Sequence, residues 1–236
     1  MQRRMPYVLK LPQTIAGPLP LIYLLHGWGG DEKQYLSINK SLATALQLMI
    51  LQPTMEAEGG WMDSPLLPDR QYFTMLSELL PAAEQAIVAQ RIQIQSRGVT
   101  GYSLGGQAAL RLAAQHPERF RVVGSVSGIV DISRHRGRWG LDVMLGDDLE
   151  LYKRQSVLYH FPLRLARIQK TLPLRIILET GPDDFAFAEN QDLARALRRA
   201  HVQFDSDFSH RGKHSLKFFE EALPGHLRRL KQHLKS

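Results

Sequence analysis

Cysteine is absent from all 236 residues. That single absence excludes disulfides, thiolate metal sites and a cysteine nucleophile. No apolar run approaches the ~20 residues that a membrane-spanning helix needs. The basic start Met1-Gln2-Arg3-Arg4 is followed by Lys10, Pro12, Gln13 and Pro18, where a secretory signal would carry its apolar stretch. Internal repeats, low-complexity tracts and linkers are missing too. These absences predict a single domain over residues 1–236, cytoplasmic and without membrane insertion. The oligomeric state stays open.

Acidic residues are also scarce relative to basic ones, and the formal net charge is +7. Residues 193–236 alone hold ten Lys and Arg against four acids. Leucine and alanine recur at helical spacing through much of this stretch, so the charge reads as the solvated faces of amphipathic helices. No nucleic-acid partner is expected.

Short runs dense in Val, Ile and Leu at 21–26, 48–52, 99–101, 121–126 and 174–179, with a further run at 202–208, read as strands. Helical patterns at 34–47, 69–89, 103–115, 189–201 and 216–234 fall between and after them. This alternation predicts an α/β fold, a doubly wound, mostly parallel sheet with helices on both faces. Residues 131–170 break the rhythm, with Gly137, Gly140, Gly146 and Pro162 as punctuation. That excursion is placed to wall a pocket at the carboxyl ends of the strands.

The chemistry begins at Gly101-Tyr102-Ser103-Leu104-Gly105-Gly106, between a short strand and the strong helix former 107–114. A serine in such a turn is held proud of the sheet as a nucleophile, and the following helix N-terminus favours developing negative charge. A second glycine-rich turn, His26-Gly27-Trp28-Gly29-Gly30, follows the first dense strand. It offers a backbone N–H, most simply that of Trp28, to pair with the Leu104 N–H as an oxyanion hole. His26 itself reads as a loop-shaping residue, because the base in this arrangement comes last in the chain.

An acid should follow, then a histidine. Asp183 and Asp184 sit together in the turn after 174–179, and the residues alone do not choose between them. His210 and His214 both precede the last helix, and the flexible Gly212 favours His214. Their spacing does not make a metal pair, since Gly212 opposes a helix there and no H-E-x-x-H occurs. Neither metal nor cofactor is expected. His201, His226 and His233 fall in helical patterns and read as surface residues.

Together these segments resemble the esterase D group of α/β-hydrolases, which includes S-formylglutathione hydrolases, feruloyl and siderophore esterases, and mycolyltransferases. The likeness rests on Leu24–Gly30 and on Gly59-Gly60-Trp61-Met62-Asp63-Ser64-Pro65. It also includes the nucleophile block with His116-Pro117-Glu118-Arg119-Phe120 and Ser125-Val126-Ser127-Gly128. The group's G-x-x-D falls on Asp184 and its G-x-H-S on His214. Leu216 and Phe218-Phe219 stand where that group carries tryptophans. The resemblance implies a serine esterase with a Ser103–His214–Asp184 triad, cleaving a small carboxylic or thio ester without cofactor. An acyltransferase or thioesterase on the same triad, or a silent hydrolase fold used for binding, is the alternative. Trp61 is expected to contact substrate, with Trp139 and Phe185 as further pocket walls.

Overall fold

The computed structural model describes residues 5–31, 33, 36–54 and 60–234, without side chains for 36–39. Its centre is made by the Val-, Ile- and Leu-rich runs, which are covered on both faces. Among the described residues they form one seven-stranded sheet, ordered β1-β3-β2-β4-β5-β6-β7. The strands are β1 (Tyr7–Lys10), β2 (Leu19–Leu25), β3 (Met49–Pro53), β4 (Ile94–Gly101), β5 (Val122–Val126), β6 (Arg175–Glu179) and β7 (Asp205–Asp207). All neighbours are parallel except β1, which runs antiparallel to β3. The connecting helices are α1 (Leu36–Leu46), α2 (Tyr72–Ala89), α3 (Leu104–Gln115), α4 (Leu141–Leu145), α5 (Leu149–Gln155), α6 (Val157–Ile168), α7 (Phe187–Arg199) and α8 (Leu216–Gln232).

The strand alternation divides the core into two. Leu21, Tyr23 and Leu25 of β2 join Leu76 and Leu80 of α2 and Ala108 and Leu112 of α3 on one face. Ile22 and Leu24 join Leu42 of α1 and Phe219, Leu223 and Leu227 of α8 on the other. From β2 the chain winds outward to β3, then crosses back to β4 on the opposite side of β2. The direction of winding therefore reverses between β2 and β4. Ligands of open α/β sheets bind at such a switch point, beyond the carboxyl ends of the strands.

Three features differ from the sequence expectations. The edge strand β1 has no counterpart among them, because four half-buried residues are too few for a period-two pattern. The strand expected at 202–208 shrinks to β7, an edge of three residues, Asp205, Ser206 and Asp207. Pro162 does not punctuate the excursion but lies inside α6, on its buried side. Gly137, Gly140 and Gly146, by contrast, do mark turns, with φ of 73°, 70° and 64°.

Candidate active site

β4 ends at Gly101 and α3 begins at Leu104, so Tyr102 and Ser103 make the turn. Ser103 has φ 56° and ψ −126°, a conformation that costs a residue bearing Cβ. Its surroundings hold it there. The Ser103 N–H donates to the Val126 carbonyl at 3.1 Å, and its own carbonyl accepts from the N–H of Ile129 at 3.0 Å. A Cβ on Gly101 would lie 2.5 Å from the Gly105 carbonyl, and one on Gly105 would collide with the Leu25 carbonyl. The two outer glycines of the motif are thus required by backbone packed against backbone.

The other side chains arrive from loops after later strands. His214 lies between β7 and α8, beside Ser215, whose Oγ caps α8 by accepting the Phe218 N–H. The Ser103 Oγ is 2.9 Å from His214 Nε2. His214 Nδ1 is 3.0 and 3.1 Å from the two carboxylate oxygens of Asp184. Asp184 is buried and also accepts the Ala186 N–H at 2.7 Å. Asp183 is exposed, as is His210, whose ring edge meets Phe218. Ser103, His214 and Asp184 are brought together; Asp183 and His210 are not.

The His26–Gly30 turn lies against this elbow. A Cβ on Gly27 would be 2.8 Å from the Tyr102 ring and 3.0 Å from the Ser103 Cβ. Leu104 opens α3, where the first N–H groups have no partner within the helix. Among the described residues, the N–H groups of Leu104 and Trp28 donate no hydrogen bond to other backbone groups. His26 is buried, and its Nδ1 lies 2.7 Å from the Gly27 carbonyl.

Trp61 requires a correction. It is fully buried and does not line the cleft at Ser103. Its Nε1–H donates to the His26 carbonyl at 2.9 Å and its ring packs on the His26 ring, so it braces the glycine turn from behind. Indole N–H groups seek an acceptor when buried, and a loop carbonyl supplies it. The next residues of that segment are structural as well. Asp63 accepts the Phe73 N–H at 2.9 Å at the start of α2, and Ser64 Oγ donates to the Met144 carbonyl at 2.7 Å. Gly59 lies outside the described residues.

The cleft over Ser103 has a volume of about 180 Å³ and is walled by Trp28, Tyr102, Trp139, Phe185, Ser215 and Leu216. Trp139 comes from the excursion and Phe185 from the turn after Asp184, as expected. The Phe185 ring sits 4.3 Å from that of His214. Trp28 and Leu216 are further walls that the sequence reading lacks; a large apolar residue in the glycine turn and another two positions after His214 were the available signal. Among the described residues, the side chains lining the cleft are apolar or uncharged apart from His214. Among the described residues, no cluster of three or more His, Asp or Glu is placed to hold a metal, and no helix is long and apolar enough to cross a membrane.

His226 is the second correction. It is not a surface residue but fully buried, because it shares the inward face of α8 with Ala222, Leu223, Leu227 and Leu230. Its Nδ1 is 2.6 Å from Glu179 and its Nε2 is 2.7 Å from the Thr100 hydroxyl. Arg229 joins Glu179 at 2.7 Å and Asp207 at 3.0 Å. Burial alone would raise the Glu179 carboxyl, but the attraction of His226 and Arg229 takes it below the ordinary value. Hydrogen bonds from Ser209, then Arg229, hold Asp207 down at about 2.

Both carboxyls are lowered, so their stabilisation is complete above the unfolded values of about 3.9 to 4.3 and is lost as pH falls through the folded ones. Urea midpoints should therefore fall between about pH 4 and pH 2. Arg229→Met should flatten that fall and lower stability at pH 7 by about 1–2 kcal/mol, less than a fully buried pair because the guanidinium is partly exposed.

A mostly parallel sheet, a serine at the strand-to-helix turn and a histidine after the last strand define this chain as an α/β-hydrolase in fold. More narrowly, it belongs to the Esterase family, whose model, described as "Putative esterase", matches residues 69–230. It is 28% identical over 137 residues to the S-formylglutathione hydrolase of Paracoccus denitrificans, covering 57% of this chain and 47% of that protein. It is 30% identical over 133 residues to the esterase Rv1288 of Mycobacterium tuberculosis, covering 53% of this chain and 28% of that protein. The match spans less than half the length of each relative. In structure the chain is similar to an S-formylglutathione hydrolase from Agrobacterium tumefaciens. The TM-score is 0.77 at 19% identity, over 98% of this chain and 90% of that one.

Proposed function

We propose that this protein is a serine esterase that cleaves an uncharged carboxylic or thio ester through an acyl-enzyme. The observation that carries this reading is the relay of 2.9 Å from Ser103 Oγ to His214 Nε2 and 3.0 Å from His214 Nδ1 to Asp184. Ser103 Oγ attacks the ester carbonyl while its proton passes to His214 Nε2. Asp184 accepts the Nδ1–H, fixes the tautomer and stabilises the imidazolium. The tetrahedral oxyanion is stabilised by the N–H groups of Leu104 and Trp28. Collapse expels the alkoxide or thiolate, which takes the proton from His214. Water, deprotonated by His214, then attacks the acyl-enzyme and frees the acid and Ser103.

A fluorophosphonate probe tests this reading directly, because it reacts only with an activated serine. Labelling of one equivalent per chain is expected, at Ser103 by peptide mapping, and slowed while an excess of a p-nitrophenyl ester competes for the site. A chain that neither labels nor hydrolyses such esters would be a silent hydrolase fold instead.

A further inference from the structure

Behind the cleft wall lies a buried acid–imidazole pair that the ester chemistry does not use. Glu189, in the first turn of α7, is 2% exposed, and His135, at the end of the 132–135 turn, is 7% exposed. His135 Nε2 lies 2.9 Å from one Glu189 oxygen, and the other accepts the Val130 N–H at 3.0 Å. Burial pushes the Glu189 carboxyl up, and the hydrogen bond with His135 offsets only part of that rise. The neighbouring charges have other partners. Asp131 holds Arg134 Nε at 2.9 Å and accepts the Tyr159 hydroxyl at 3.0 Å, and Arg134 also reaches Asp192 at 2.6 Å.

The pair touches the cleft wall on one side and the elbow on the other. The His135 ring packs on Trp139 at 5.1 Å and meets Phe185 at 5.8 Å. Trp139 and Phe185 both line the cleft, and Phe185 in turn covers His214. Val130, held by Glu189, follows Ile129, whose N–H supports the Ser103 carbonyl. We infer that His135, locked by Glu189, is a positioning residue for ester binding: it holds the Trp139 and Phe185 rings, stacked on each other at 6.2 Å, as one wall of the cleft for the apolar part of the substrate to pack against. The inference rests on the serine-esterase reading. It assigns the pair to substrate affinity and not to proton transfer, since His135 touches none of the reacting atoms.

The test uses the full chain with p-nitrophenyl acetate, and intrinsic fluorescence as a second readout. His135→Ala should raise KM about tenfold, equivalent to about 1.4 kcal/mol, and leave kcat within about threefold. Tryptophan emission should move to longer wavelength as Trp139 loses its ring contact. His135→Gln keeps a donor for Glu189 and removes only the ring, so it should show the same rise in KM even where the alanine variant does not fold. His135→Phe combined with Glu189→Gln returns a ring to Trp139 and Phe185, removes the stranded carboxyl while leaving an acceptor for the Val130 N–H, and should bring KM back to within about threefold of the parent. An unchanged KM in folded His135→Gln overturns the positioning role, as does a loss confined to kcat. Fluorophosphonate labelling of the parent separates the failures. A parent that neither labels nor hydrolyses sinks the esterase reading, and this one with it. A labelled, active parent with unaltered KM in the variants sinks the His135 role alone.

Discussion

Replacing Ser103 by alanine is expected to lower kcat/KM on short-chain p-nitrophenyl esters by about 10,000-fold or more. The size follows from cooperation. Without the hydroxyl, His214 has no nucleophile to deprotonate at 2.9 Å, and Asp184 then orients a base with nothing to act on. What remains is binding and the Leu104 and Trp28 amides, which polarise a carbonyl for attack by bulk water. The substitution should not disturb the fold. Alanine keeps the Cβ, so the turn at φ 56° is as strained as before, and the backbone bonds to Val126 and Ile129 do not involve the side chain. The loss must therefore appear with a thermal midpoint close to the parent's. Turnover retained at a tenth or more would sink the assignment of the nucleophile.

The second large effect separates two adjacent residues. Asp184→Asn is expected to cost about 1,000- to 10,000-fold in kcat/KM, because an uncharged amide neither stabilises the imidazolium nor enforces the Nδ1–H tautomer. Asp184 has no solvent to replace that charge: it is 4% exposed, with both oxygens within 3.1 Å of His214. Asp183→Asn alters an exposed side chain and should change activity by less than about threefold. Measuring both variants at saturating and limiting substrate decides the matter. A larger loss in Asp183→Asn would reverse the choice of acid.

Why these two aspartates could not be separated from the sequence, while Ser103 could be singled out, is a matter of range. The elbow is local: a strand, two glycines in the places where backbone meets backbone, and a helix former occupy one continuous stretch. The sheet was legible for the same reason, since each central strand is a short apolar run bounded by turns. Burial of Asp184 and exposure of Asp183 depend on how the turn after β6 meets the loop after β7, which adjacent positions in a sequence do not express. Only the pattern shared with related esterases broke that tie.

The misreadings follow the same logic. His226 carries charged neighbours, Arg228 and Arg229, which suggest a solvated helix. Its i−3, i+1 and i+4 positions, Leu223, Leu227 and Leu230, were the better guide to its burial. A tryptophan such as Trp61 reads as a pocket wall from its type alone, yet its indole is buried and braces the His26–Gly30 turn. His135 and Glu189 are 54 residues apart, and neither lies in a motif. Nothing short of the folded arrangement brings them to the back of the cleft wall.

The serine and the histidine that meet across 2.9 Å are separated by 111 residues of chain. The turn at Ser103 draws on β4, α3 and the chain from β5 to Ile129, whereas His214 arrives only after β6, α7 and β7 have been laid down. On the proposed mechanism, a chain made only as far as β5 would carry the serine without its proton acceptor. Hydrolysis by that mechanism would therefore report on the far edge of the sheet having closed.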